Sequence, residues 1–101
     1  MEYLPLGSIV LLKNGTKKLL IIARAINVNN NNTNYFFDYG AVAYPEGLIG
    51  DEMAYFNADK INKVIFTGYN DAENENMVDT INSYLSENSD IQRGDPENWP
   101  Q

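Results

Sequence analysis

Cysteine and histidine are both missing from this chain of 101 residues. Their absence removes disulfides, thiolate nucleophiles, imidazole bases and nearly every zinc or transition-metal site. Long apolar runs are missing too, since none reaches the roughly 18 residues that span a bilayer. The opening Met1-Glu2-Tyr3-Leu4-Pro5 has no positive flank and no extended apolar stretch, so a signal peptide is not expected there and the cytoplasm is the expected location. Positive charge is scarce: 7 Lys and Arg stand against 14 Asp and Glu, for a net charge of −7. Such a surface repels phosphate backbones and anionic membranes, so neither nucleic acid nor a bilayer is an expected partner. Two readings of the acidity stay open, plain solubility and a neutral or basic protein partner.

Hydrophobic residues make up 44% of the chain, enough for one modest globular core and too much for a disordered chain. A single domain is expected over residues 1–86, followed from Glu87 to Gln101 by a flexible polar tail without periodicity. Two aliphatic runs flank Asn14-Gly15, which predicts a type I′ hairpin of strands 8–13 and 17–26. Both runs are apolar on both faces, as in strands covered on each side. The asparagine-rich stretch 27–34 reads as a loop.

Residues 35–44 read as the third strand, with Tyr35, Phe37 and Tyr39 on one face and a bulge or bend at Gly40. Tyr44-Pro45-Glu46-Gly47 is a turn in which proline takes the second position. Short strands follow at 53–56 and 63–69, separated by one helical turn capped by Asn57. Asn70 to Glu73 has capping-box spacing. Met77, Val78, Ile81, Tyr84 and Leu85 form one stripe of a helix at 71–86. The predicted class is α+β: about five strands in a small, strongly curved antiparallel sheet, either an SH3-like barrel or an open roll, with a C-terminal helix.

The residues offer little chemistry. Asp38 and Glu46 are the carboxylates that a fold-back at Gly40 could pair, yet no histidine or metal is there to tune them. The stretch 71–76 lacks the central glycine of a calcium loop, and Asn82 stands where its bidentate glutamate belongs. No base can activate a serine, and no glycine-rich phosphate loop is present. No catalytic residue, cofactor or metal is therefore expected. Tyrosine is the abundant functional residue. Tyr39, Tyr44 and Tyr55 either present rings for protein recognition or complete the core with only their hydroxyls wet. Trp99 either anchors a partner or docks back on its own domain. With Glu46 at the tip of the turn, these four aromatics are the expected protein-contact residues.

Three stretches carry a resemblance: "LPLGSIVLLKNGTKKLLIIARA", "FDYGAVAYPEGLIG" and "FNADKINKVIFTGY" followed by an acidic helix. Over roughly residues 4–80 they resemble a small family from Gram-positive bacteria, catalogued as a domain of unknown function. Its members are encoded beside LXG-domain toxins of type VII secretion. The resemblance implies a non-enzymatic adaptor, a chaperone or targeting factor, that binds an LXG toxin together with small helical partners before export. It supplies no catalytic residues. An immunity protein that neutralises the toxin by direct binding is the alternative expectation.

Overall fold

The computed structural model describes residues 1–95. In chain order the elements are β1 (Ile9–Leu12), β2 (Leu19–Asn30), β3 (Thr33–Ala43), β4 (Ala54–Phe56), a 3-10 turn (Ala58–Lys60), β5 (Ile61–Phe66) and α1 (Ala72–Glu87). The five strands make one antiparallel sheet in the order β4-β3-β2-β1-β5. β4 and β5 lie at opposite edges and do not pair, so the sheet stays open and the class is α+β. The barrel alternative is not adopted.

The longest hairpin is β2–β3, paired from Leu19↔Ala43 out to Asn30↔Thr33. Residues 27–30, expected in a loop, thus extend β2, and the connection shrinks to Asn31-Asn32. Both have left-handed φ values, 54° and 65°, the requirement of a type I′ turn. Asparagine tolerates that region, and Asn29 also bonds across the ladder to Asn34 at 3.1 Å. The type I′ turn expected at Asn14-Gly15 does not form. Asn14 is left-handed (φ 65°) but Gly15 is not, and the Gly15 N–H closes the turn onto the Leu12 carbonyl at 3.0 Å. β1 meets β2 at only two positions and pairs more extensively with β5, which makes it an interior strand.

Gly40 does not itself bulge. The extra residue is Ile22 on β2, since Ile21 pairs with Ala41 and Ala23 with Gly40. Gly40 instead leaves room for Met53, whose Cε would lie 2.9 Å from a Cβ there.

Val10, Ile21, Tyr39, Ala41 and Phe56 build the core from the sheet, and Tyr3 and Ile81 close it. α1 packs through Val78, Ile81 and Leu85, whereas Met77 and Tyr84 of the predicted stripe remain about half exposed. The buried stripe is thus narrower than the apolar pattern, because the helix covers the sheet along one line of contact. Its N-cap is Asp71, one residue later than the predicted box, and the Asp71 carboxylate accepts the Asn74 N–H at 2.9 Å.

Gly68 ties the end of β5 to the N-terminal segment. Its N–H donates to Ser8 Oγ at 2.9 Å, and that hydroxyl donates to the Pro5 carbonyl at 2.8 Å. A Cβ on Gly68 would collide with the Leu6 carbonyl oxygen and sit 3.0 Å from Ser8 N, both backbone atoms. Gly68→Ala is therefore expected to lose roughly 1–3 kcal/mol, the usual range for overpacking, read as a lower urea midpoint at unchanged slope.

Candidate functional site

Asp38 on β3 is the one carboxylate buried among the described residues, 3% exposed. Its Oδ1 accepts from the Tyr3 hydroxyl at 2.8 Å and from Arg93 Nη1 at 2.7 Å. Its Oδ2 accepts the Ala58 N–H at 2.8 Å, so Asp38 caps the 3-10 turn. Asn57 stands at the N-cap of that turn as expected, but its side chain does not cap it: Oδ1 accepts the Asp38 N–H at 3.0 Å and Nδ2 donates to the Gly94 carbonyl at 2.8 Å. These bonds join four stretches of chain: the N-terminal segment, β3, the 3-10 turn and residues 93–94.

The segment from Glu87, expected as a polar tail, returns to the sheet by Gln92. Phe36 N–H donates to the Gln92 carbonyl at 2.8 Å, and Gly94 N–H to the Phe36 carbonyl at 3.0 Å. Arg93 brings the positive charge that a buried Asp38 needs and stacks 4.9 Å over the Phe36 ring. Gly94 fits against the Phe37 ring, which a Cβ would strike. Residues 96–101, Trp99 among them, lie outside the described residues.

Burial, reinforced by the Asp38 carboxylate, pushes the Tyr3 hydroxyl well above its ordinary pKa, and burial raises Tyr39 too. Folded-state values raised above the unfolded value give stability that is complete below the unfolded value and lost as pH rises toward the folded one. Urea midpoints should therefore hold up to about pH 10, the ordinary tyrosine value, and fall above it. Tyr3→Phe should shrink that alkaline loss.

The expected contact residues separate. Tyr39 is a core residue, 1% exposed. Its ring meets Tyr3 edge-on and Phe56 tilted, each at 5.6 Å, and its hydroxyl accepts the Leu4 N–H at 2.9 Å. Tyr55 on β4 is half-buried, its ring 5.7 Å from Phe37. Tyr44 and Glu46 do share an exposed corner. The Tyr44–Pro45 bond is cis, and the turn closes over five residues, Gly47 N–H to the Ala43 carbonyl at 2.7 Å. Proline thus does not take the second position of a four-residue turn.

Lys17 Nζ reaches both Glu46 oxygens, at 2.6 and 2.7 Å, and this contact holds the carboxyl below its usual range. The Lys18 ammonium lies 5.9 Å from the Tyr44 ring centroid. The corner's charges are matched within the chain. Asp38 and Glu46 belong to two separate networks, so the carboxylate pair considered from sequence is not assembled.

A second region emerges at the other end of β5. Val64, Ile65 and Phe66 are exposed on β5, an edge strand. Period-2 alternation marks a strand but not its place in the sheet, so sequence gave no sign of this. Beyond β5, Leu6, Tyr69 and Met77 line a groove of about 430 Å³ together with Arg24, Asp71 and Glu73. On the other flank of α1 a groove of about 690 Å³ carries Glu2, Glu75 and Asp79. Among the described residues no cluster of acids could hold a metal ion, and no helix is long and apolar enough to cross a membrane.

Fold and surface together define a small open-sheet α+β domain whose buried acid is held in a hydrogen-bonded network. Apolar residues are exposed on β5 and at the start of α1, and also at Leu48 and Ile49 beyond the Tyr44–Gly47 turn. The chain belongs to the family described as a domain of unknown function, DUF4176, which matches residues 3–77. That span takes in all five strands and the first turns of α1, but not the return of residues 92–94. No curated protein and no solved structure matches the chain.

Proposed function

We propose that this protein is a non-enzymatic adaptor, a chaperone that binds an LXG-type toxin, together with small helical partners, and helps deliver it to type VII secretion in the cytoplasm of a Gram-positive bacterium. The toxin and the secretion route rest on the motif resemblance over residues 4–80. The observation that supports a protein-binding role is the exposed apolar surface itself. Val64, Ile65, Phe66, Tyr69 and Met77 are all at least 40% exposed in a chain this small. Exposed apolar patches on small domains mark interaction surfaces.

Co-purification of the full chain with an LXG toxin, with and without its helical partners, tests the reading. Retention of the toxin through its N-terminal LXG region is the expected result. Failure to bind in either condition overturns it. Retention through the toxic C-terminal domain, with rescue of intoxicated cells, would replace it with the immunity role.

A further inference from the structure

We infer that the groove between Leu6, Tyr69 and Met77 receives a basic amphipathic helix from a partner protein. The inference rests on the protein-binding reading and names the chemistry of what is bound.

The floor of the groove is apolar and open: Leu6 is 50%, Met77 48% and Tyr69 80% exposed. Met77 and Tyr84 lie seven residues apart, two turns along the same flank of α1, so the floor continues as a ridge parallel to the helix axis. A ridge of that shape accepts the side chains of a second helix lying alongside.

The rim is acidic, and the chain neutralises it only in part. Asp71 and Glu73 border this groove, and Glu75 and Asp79 the one across α1. Among the described residues Glu73, Glu75 and Asp79 form no ion pair, and α1 carries no Lys or Arg. Arg24, the one cation lining the groove, donates through Nη1 to Asn74 Oδ1 at 2.6 Å and to the Leu4 carbonyl at 3.4 Å. Both acceptors are neutral, so Arg24 offsets one of the two acids, Asp71 and Glu73, and the lining stays negative by one charge. Complementarity therefore selects a segment with Lys or Arg beside its apolar anchors. A second copy of this chain would bring its own net charge of −7 to the same rim. The rim thus disfavours self-association.

The probe is a model peptide of about 18 residues, long enough for a stable helix, with leucines on one face and lysines on the other. Its control has glutamates in place of the lysines. Both are titrated into the full chain and followed by amide chemical shifts. The expected result is saturable shifts centred on Leu6, Tyr69, Glu73 and Met77 with the lysine peptide and none with the control. Glu73→Lys, which reverses a charge on the rim, should weaken binding by roughly tenfold. Its thermal melt should fall only slightly, because the first turn of α1 loses one of its two acids. Met77→Ala should weaken binding without altering the fold.

Shifts centred on Val64 to Phe66 would overturn the inference in favour of a strand added to the β5 edge. Equal binding of both peptides would overturn it as indiscriminate apolar contact. In the toxin co-purification, a Glu73→Lys variant that retains toxin as well as the parent sinks the groove but leaves the adaptor reading standing. If the parent retains no toxin, the adaptor reading falls, and the peptide titration then decides the groove by itself.

Discussion

Asp38→Ala lowers stability by about 3 kcal/mol, the low end for breaking a buried ion pair because Arg93 keeps access to water. For a domain of this length that corresponds to a fall of roughly 12–24 °C in melting temperature. The loss comes from what the carboxylate leaves behind. The Tyr3 hydroxyl, the Ala58 N–H and the Arg93 guanidinium all lose their acceptor, and Tyr3 and Ala58 lie where water is scarce. Arg93→Ala should cost somewhat less, about 2 kcal/mol, since it leaves Asp38 buried without its positive charge but still hydrogen-bonded to the Tyr3 hydroxyl and the Ala58 N–H. Thermal melts of the two variants check the order. A smaller loss for Asp38→Ala than for Arg93→Ala would contradict the assignment of Asp38 as the centre of this network.

Tyr39→Ala should cost roughly 3–5 kcal/mol, as other large aromatic truncations in cores do. The ring is enclosed by Tyr3 and Phe56, and the void left between β3 and β4 cannot collapse without moving the sheet. Tyr39→Phe keeps the ring and removes only the acceptor of the Leu4 N–H, for about 1 kcal/mol. Denaturant unfolding measures both. The pair also separates a core residue from a contact residue: Tyr39→Phe should leave partner binding untouched. A binding defect in a stable Tyr39→Phe variant would return this tyrosine to the surface role its sequence context invites.

The contrast shows where sequence was legible. Strand alternation, aliphatic runs and the stripe on α1 report local periodicity, and they placed the elements to within a few residues and gave the α+β class. Asn14-Gly15 misled because turn chemistry is permissive, not obligatory. The ladder from Leu19 to Asn30 set the hairpin instead, and Asn31-Asn32 supplied the left-handed pair. Tyr39 and Tyr44 look alike in sequence, five residues apart on or beside one strand. The packing of Tyr3 and Phe56, both distant in sequence, buries the first, while the second lies just past the end of β3 and stays exposed. Arg93 carried no local signal either, because its role depends on Asp38, 55 residues away. The exposed apolar surface was hidden for the same reason, since β5 becomes an edge through strand order and not through its own pattern.

The central claim is that this acidic domain acts by holding another protein. Its most direct measurement is size-exclusion chromatography of the full chain mixed with a purified LXG-domain toxin and its helical partners. One complex that contains this chain is expected, with less of it when Glu73 is changed to lysine. Elution of the chain at its own size, with the toxin's elution unchanged by its presence, would contradict the claim.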